Sequence, residues 1–265
     1  LADLEKRIGG QLCVRGKKMF RLTELGQATY AAAQTLFLDL DAFEHRVRSA
    51  TGRLSGHLRI GVSDGVATSE ALGIQHTISR FMSDTMEVFI DLTLGKPAEL
   101  EQWIAEGERD VVIGPLSKKA PGITYRDFWG EEHHLYCGRT NPLYDMPDEM
   151  IDEDAIARTR VSVRSYRHFD DLYRIGHPRP GAAVGQMEAQ LMLILSGHFI
   201  GFLPTHYARV HEKSGDLRVI RPASHAFTSM HHIAIRKADV ERTLVSAFLK
   251  VLEGDGDPYA ASTAR

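Results

Sequence analysis

The sequence feature that most constrains the fold is a long amphipathic run over residues 22–54. In its second half the apolar side chains alternate between steps of four and three residues, which is typical of a heptad seam between helices. The seam consists of Leu22, Leu25, Ala32, Leu36, Leu40, Phe43, Val47, Ala50 and Leu54. Thr23 is a suitable N-cap and Thr51-Gly52 a suitable stop. The pattern therefore predicts one helix of about 28 residues, roughly 42 Å long.

This helix can be used in two ways. Its seam can pack on the chain's own body, as in a long surface helix, or it can face a second copy of the chain as a dimerising connector. The helix is too long to lie on one small domain, and no covering segment lies nearby in the sequence. We therefore expect dimerisation through the side chains of one stripe, namely Leu25, Ala32, Leu36, Leu40, Phe43 and Val47.

Composition narrows the class of protein. The 265 residues are 43% hydrophobic and 25% charged with a net charge of −3, which suits one or two ordinary globular domains. No apolar run approaches the ~18 residues that span a bilayer, and the chain does not begin with a secretory signal pattern. Only two cysteines occur, Cys13 and Cys137, so no disulfide framework is expected. These features predict a cytoplasmic protein without a membrane role.

The first 22 residues are basic, although the chain as a whole is not. Residues 1–8 form a helical pattern that ends at Gly9-Gly10, and two short extended runs follow around a Gly-Lys-Lys turn. A helix followed by a basic hairpin is the second half of a winged helix-turn-helix. Side chains on such a wing lie within reach of DNA phosphates, and here they are Arg15, Lys17, Lys18 and Arg21. A solvated charged turn is the alternative.

The end of this hairpin resembles one protein family. The matching residues are Arg21, Leu22, Thr23, Glu24 and Gly26, directly before the long helix. In LysR-type transcriptional regulators a wing ends in the same way before the dimerisation helix, and the resemblance continues through almost all of the chain. It implies an effector-binding regulatory domain, an organic acid as the effector, DNA as a partner of the full-length protein, and a homodimer or homotetramer.

The resemblance also implies parts that this sequence lacks. The chain begins without Met and inside a helical pattern, so we expect a preceding segment with two helices and the front of the recognition helix. Residues that read DNA bases are therefore not assigned, and the chain alone is expected to bind DNA weakly.

After residue 57 strands alternate with helices, which predicts mostly parallel sheet covered on both faces. The predicted fold class is α/β, with two lobes joined by two chain crossings near residues 136–139 and 226–231. The LysR resemblance implies that this two-lobed domain is periplasmic-binding-protein-like. Three parts follow: a partial winged helix-turn-helix, 1–22; a linker helix and hinge, 23–57; and an effector-binding domain, 58–265. In that last part, lobe I is 58–138 with 226–265, and lobe II is 139–225. Within lobe I, we predict a helix over 66–82 and separate strands over 123–128 and 133–138.

Small ligands of open α/β folds bind at the carboxyl ends of strands, in the crevice between lobes. Hydroxyls and backbone N–H groups at a helix start suit a carboxylate, and Lys96 and Arg164 offer positive charge. Asp64 opposes an anion unless it points away or the effector carries a donor. The candidate effector residues are Ser63, Asp64, Thr68, Ser69, Lys96, Pro97, Gly114, Arg164, Ser165, Gln186, Met187, Glu188 and Phe202.

Each candidate also has a plain structural role. Serine and threonine hydroxyls at a helix start are common N-caps. A loop lysine and an arginine are often solvated, and Phe202 suits a hydrophobic core as well as it suits a ligand pocket.

Enzymatic signals are weak. The sequence contains no Gly-x-Ser-x-Gly elbow, no Walker loop and no Gly-x-Gly-x-x-Gly after a strand. The pairs His133-His134 and His231-His232 lie on predicted strands, where adjacent side chains point to opposite faces. They also lack zinc-ligand spacing, so neither a metal nor another cofactor is expected. A solute-binding module without a DNA role is the alternative function, but it would predict a secretory signal and no basic hairpin.

Overall fold

The computed structural model describes residues 1–16, 19–49, 54–83, 85, 87–117 and 119–254. The chain divides into two compact units, Leu1–His57 and Leu58–Arg265. Several predictions fall outside the described residues or side chains. These are Arg15, Lys17 and Lys18 of the hairpin, Val47 and Ala50 of the seam, and the stop at Thr51-Gly52.

The first unit begins with a short helix and a hairpin, as predicted. Helix α1 (Ala2–Ile8) ends where Gly9 adopts a left-handed conformation with φ of 83°, which glycine reaches without a steric cost. Strands β1 (Cys13–Gly16) and β2 (Met19–Leu22) pair antiparallel. The Glu5 carboxylate accepts the backbone N–H of Leu12 at 2.8 Å and so ties the helix to the hairpin.

The residues that carry the family resemblance build the start of helix α2 (Glu24–Ser49). The Thr23 hydroxyl oxygen accepts the backbone N–H of Gly26 at 2.9 Å, which confirms the predicted N-cap. The backbone N–H of Thr23 also donates to the Leu12 carbonyl at 3.0 Å. A Cβ on Gly26 would lie 1.9 Å from that same carbonyl oxygen, so only glycine fits this position.

The second unit contains nine strands in one mixed sheet within the described part of the chain. The strands are β3 (Ser55–Val62), β4 (Glu87–Leu94), β5 (Val111–Gly114), β6 (Ile123–Gly138), β7 (Arg160–Arg164), β8 (Ala182–Val184), β9 (Phe199–Pro204), β10 (Leu217–Ile220) and β11 (Phe227–Arg236). Their order is β4-β3-β5-β11-β6-β9-β7-β8, and β10 pairs with β6. Strand β3 pairs parallel with β5, and β7 pairs parallel with β8 and β9. The long strands β6 and β11 pair antiparallel with their neighbours, so the sheet is mixed and not mostly parallel as predicted.

Helices connect these strands. Helix α4 begins with a proline and ends at Gly107, which is left-handed. The α-helices of this unit are α3 (Ile74–Ser83), α4 (Pro97–Glu106), α5 (Glu153–Ala157), α6 (His168–Arg174), α7 (Met187–Leu195), α8 (Thr205–Lys213), α9 (Pro222–His225) and α10 (Thr243–Gly254).

Two strands make the unit two-lobed. Strand β6 pairs with β11 from Ile123 to His133 and with β9 from His133 onward. His133 therefore lies where β6 changes its neighbouring strand. One side of this change carries β3, β4 and β5, which we call lobe I. The other side carries β7 to β10, which we call lobe II.

Each lobe has its own hydrophobic core. In lobe I, Leu100 and Ile104 of α4 pack with Val112 of β5. In lobe II, Val161 and Phe202 belong to a core on one side of the sheet, and a second cluster surrounds Tyr136, Met187, Ile194, Leu203, Ala208 and Leu217. The lobes therefore pack as separate clusters, and the shared strands β6 and β11 contribute core residues to both of them.

The structure corrects three expectations in this unit. Residues 66–82 do not form one helix, because a 3-10 turn (Val66–Thr68) is separated from α3 by Gly73, whose φ is 55°. Residues 123–138 form a single strand of 16 residues, not two strands. The first crossing therefore lies near His133, before the predicted 136–139. The second crossing coincides with the start of β11 at Phe227, as expected.

Candidate functional site

A crevice lies between the strand ends of lobe I and the start of α7 in lobe II. It encloses ≈ 380 Å³, a volume suited to a small molecule. Five of its lining residues come from lobe I and three from the loop and first turns of α7, so both lobes build the site. They are Asp64, Leu94, Gly95, Lys96, Glu99, Gly185, Gln186 and Ala189.

Asp64 reaches across this crevice. Its carboxylate accepts the backbone N–H of Met187, the first residue of α7, where the helix dipole favours a negative charge. Burial raises the pKa of Asp64 above its usual range, although that hydrogen bond works in the opposite direction. Among the described residues, no lysine, arginine or histidine forms an ion pair with this carboxylate.

Lys96 faces the same crevice from the start of α4. Its backbone N–H donates to the Glu99 carboxylate at 2.8 Å, and its ammonium lies 3.8 Å from the other Glu99 oxygen. The end of its side chain lies against lobe II, because a Cβ on Gly185 would be 2.6 Å from the Lys96 Cε and 3.1 Å from its Nζ. Gly185 therefore leaves the space that this lysine uses.

A buried polar cluster lies at the junction of the lobes, centred on Glu131 of β6. One Glu131 oxygen accepts from His206 Nε2 at 3.0 Å, and His206 Nδ1 lies 2.9 Å from the Thr68 hydroxyl. The other oxygen is 3.3 Å from His133 Nε2 and 3.9 Å from His231 Nε2. Since Thr68 belongs to lobe I and His206 to lobe II, the Thr68–His206–Glu131 chain connects the two lobes.

The groups of this cluster shift one another's pKa values. Burial by itself raises the pKa of Glu131, but the hydrogen bond from His206 and the three nearby histidines lower it below its usual range. Burial and the charge of Arg164 lower the pKa of His133 to about 3. The cluster thus holds a charged carboxylate beside a neutral His133 at neutral pH. These side chains do not have the arrangement of a metal site in the described part of the chain.

Arg164 differs from the expectation of a charge offered to an effector. It is 2% exposed, and its guanidinium donates to both oxygens of Asp171, which is completely buried. The ring of Phe227 lies 5.3 Å from this guanidinium. Because Arg164 is buried and its charge is paired with Asp171, we do not include it in the proposed effector site.

The other predicted site residues have different positions. Ser69 is buried, and its hydroxyl accepts from the Leu72 backbone, which closes the turn before α3 and gives Ser69 a structural role without capping a helix. Phe202 is completely buried in the core of lobe II, so it has a packing role there and does not line the crevice. The Ser63 hydroxyl lies 3.2 Å from His231 Nε2, and Thr68 is joined to His206. The remaining candidates lie on strand or helix ends: Pro97, Gly114, Ser165, Gln186, Met187 and Glu188.

Sequence reasoning missed the cluster around Glu131. It correctly placed the members of each histidine pair on opposite faces, since His133 and His231 are buried while His134 and His232 are partly exposed. The sequence contains no sign that residues 123–138 form one continuous strand. Because they do, Glu131 lies on β6 at the junction of the two lobes and not in a loop. Gly185 was also missed, although its position before an apolar helix was visible in the sequence.

The first unit presents the predicted seam to solvent. Leu25 is 41% exposed, Leu36 65%, Leu40 49% and Phe43 62%. Ala32 is also exposed, as is Arg21 on the hairpin. A stripe of exposed large apolar side chains is unusual on a single copy of a chain and is typical of an interaction surface.

The fold and the crevice define a class of protein, a two-lobed ligand-binding domain that follows a long amphipathic helix. The LysR substrate binding domain family matches residues 51–256. The HTH-type transcriptional activator BauR of Pseudomonas aeruginosa is 31% identical over 253 residues, which is 95% of this chain and 83% of that protein. The activator IlvY of Salmonella typhimurium is 28% identical over 214 residues, 76% of this chain and 70% of that protein.

Solved structures agree on the fold. The full-length LysR regulator CbnR in complex with its target DNA superposes with a TM-score of 0.66 at 15% identity, over 97% of this chain and 88% of that one. ArgP from Mycobacterium tuberculosis gives a TM-score of 0.64 at 17% identity, over 97% and 86%. The chain therefore belongs to the LysR family of transcription regulators, which bind DNA and small-molecule effectors and act as oligomers.

In the described residues, no helix is both long and apolar enough to cross a membrane.

Proposed function

We propose that the crevice between Asp64 and Lys96 of lobe I and Gly185 and Gln186 of lobe II is the effector site of this regulator. The observation that carries the proposal is that both lobes line one cavity of ≈ 380 Å³ at the carboxyl ends of lobe I strands. An effector there contacts both lobes at once. Of the predicted effector residues, Asp64, Lys96 and Gln186 line this cavity, and Met187 contacts Asp64.

Effector binding controls transcription by changing the relative orientation of the lobes. Two hydrogen bonds join them beside the crevice, from the Met187 N–H to Asp64 and between Thr68 and His206. A ligand that inserts between these contacts favours the lobe arrangement for which it has the higher affinity. This change is passed to the oligomer and so to the spacing of its DNA-binding parts.

The remaining parts have supporting roles in this proposal. Residues 23–57 serve as the linker, with α2 as the dimerisation helix followed by a hinge, and the exposed seam of α2 supports that role. The hairpin contacts DNA phosphates through Arg15 and Arg21 of its arms and Lys17 and Lys18 of its turn. The protein acts in the cytoplasm, where a regulator meets its DNA, and it has no enzymatic activity, which is in keeping with relatives that are transcription regulators.

The site is tested by filling the crevice. Small organic acids and amino acids are screened by thermal shift, since a ligand at about 100 times its Kd stabilises the native state by about 2.7 kcal/mol. Gly185→Leu places a side chain where Lys96 and the effector lie, so we expect it to abolish the shift. The control is Gly254→Leu, because a Cβ at Gly254 has no atom within 4 Å.

A ligand that stabilises the parent protein and Gly185→Leu equally would place its binding site elsewhere. Circular dichroism of both variants verifies that they are folded before the comparison is made.

A further inference from the structure

Three charged residues of lobe I line the effector crevice of ≈ 380 Å³. Asp64 lies just beyond the end of β3, and Lys96 and Glu99 lie at the start of α4. Because Glu99 is paired with Lys96, the two groups that a ligand has to match are the Asp64 carboxylate and the Lys96 ammonium. Lys96 would attract a plain carboxylate and Asp64 would repel it, whereas Asp64 would attract a plain amine and Lys96 would repel it. A ligand with both charges matches both residues.

We propose that the effector is a small zwitterion, with its ammonium group at Asp64 and its carboxylate at Lys96. This inference rests on the crevice being the effector site. It defines the chemical class of the ligand, which the position of the site alone does not.

The Asp64 carboxylate has capacity for an ammonium ligand. An ionised carboxylate accepts up to about four hydrogen bonds, and only the one from Met187 comes from another described residue. Since burial disfavours its charged form, a cation placed beside it relieves that cost. An added anion would instead repel it at close range.

The Lys96 ammonium is available for a carboxylate. Its contact with Glu99 is 3.8 Å long, and the two side chains are 45% and 47% exposed, so solvent weakens this ion pair. The lysine also lies against Gly185 of lobe II, which places its charge inside the crevice. A ligand carboxylate can replace Glu99 there without breaking a buried contact.

The proposal is tested by isothermal titration calorimetry of the full chain with matched probes. The zwitterions are L-alanine, 4-aminobutyrate and 5-aminopentanoate. Each is compared with the carboxylate that lacks its amino group and with the amine that lacks its carboxylate. We expect at least one zwitterion to bind roughly tenfold or more tightly than both of its analogues, because each charge pair contributes separately.

Two variants then assign the charges. Asp64→Asn keeps an oxygen that accepts from Met187 but loses the charge, and Lys96→Gln removes the ammonium. We expect each to weaken zwitterion binding by roughly tenfold or more. Glu106→Gln and Lys250→Gln are the controls, because they remove one charge each at exposed helix positions outside the crevice lining.

The results separate this inference from the proposed function. Equal or tighter binding of either analogue, the carboxylate without an amino group or the amine without a carboxylate, overturns the zwitterion, and so does the absence of binding by every zwitterion. If the analogue that binds the parent protein fails to bind Gly185→Leu, the crevice is still the effector site. Zwitterion binding that survives Gly185→Leu, Asp64→Asn and Lys96→Gln contradicts both proposals.

Discussion

At the scale of single residues, the partner of a charged side chain decides its role. Arg164 and Lys96 are both cations near strand or helix ends, and both were candidates for effector recognition. Arg164 is buried and bound to both oxygens of Asp171, whereas Lys96 is exposed and loosely paired. Sequence alone cannot separate these cases, because the Asp171 partner lies on the following helix and its distance depends on the loop between them.

The buried His133 gives the protein a specific sensitivity to acid. Its pKa falls from 6.5 to about 3 in the folded state, so the folded protein keeps it neutral while the unfolded chain protonates it below 6.5. The unfolding free energy therefore decreases as the pH falls below 6.5, and His133 accounts for about 2 kcal/mol of that decrease by about pH 5.

Urea unfolding of the parent protein and of His133→Gln at about pH 7 and about pH 5 checks this prediction. The variant should lose about 2 kcal/mol less than the parent between the two pH values, whatever its stability at neutral pH. The same substitution at exposed His198 serves as the control. An equal loss in parent and His133→Gln would contradict the role assigned to His133.

At the scale of elements, local signals predicted most of the secondary structure. The alternating valines Val161 and Val163 and the proline that begins α4, Pro97, set bounds that the structure reproduces. The failures occur where distant contacts decide. Strand β6 continues through the polar Glu131 because β11 and β9 supply partners on both sides of it, and no local pattern contains that information.

Helix α2 allows a direct test of the proposed dimer. Leu36 and Phe43 are one heptad apart and are exposed, so charged residues there leave the fold of a single copy intact. In the dimer the same charges would face each other across an apolar seam. We expect Leu36→Glu with Phe43→Glu to reduce the mass measured by light scattering by at least half.

Gln27→Glu provides the control for this test, because position 27 is exposed and lies off the seam. It should keep the mass of the parent protein. An unchanged mass in the double variant would show that the seam does not hold the oligomer together.

At the scale of the whole molecule, the chain combines a rod-like unit with a two-lobed unit. A crevice lies between the lobes, where the sequence predicts the effector site. Asp64, Lys96 and Gln186 of the predicted residues line it, and none of the predicted hydroxyl side chains does. The position of the site follows from topology, which the βα pattern predicts, while its lining depends on side-chain packing between lobes, which the pattern does not contain.

The division of the chain into two compact units predicts that the second unit folds and binds its effector without the first. A fragment of residues 51–265 retains all of β3 and both lobe cores, and it removes α2 with its seam. We expect it to unfold in one cooperative urea transition, because β6 and β11 run through the junction of the lobes and neither lobe keeps its sheet without them. Calorimetry should show that it still binds the ligand, with an affinity that differs from that of the full chain by the coupling factor between effector binding and oligomer arrangement, and light scattering should give a lower oligomer mass. A fragment that folds but no longer binds would mean that residues before 51 contribute to the effector site.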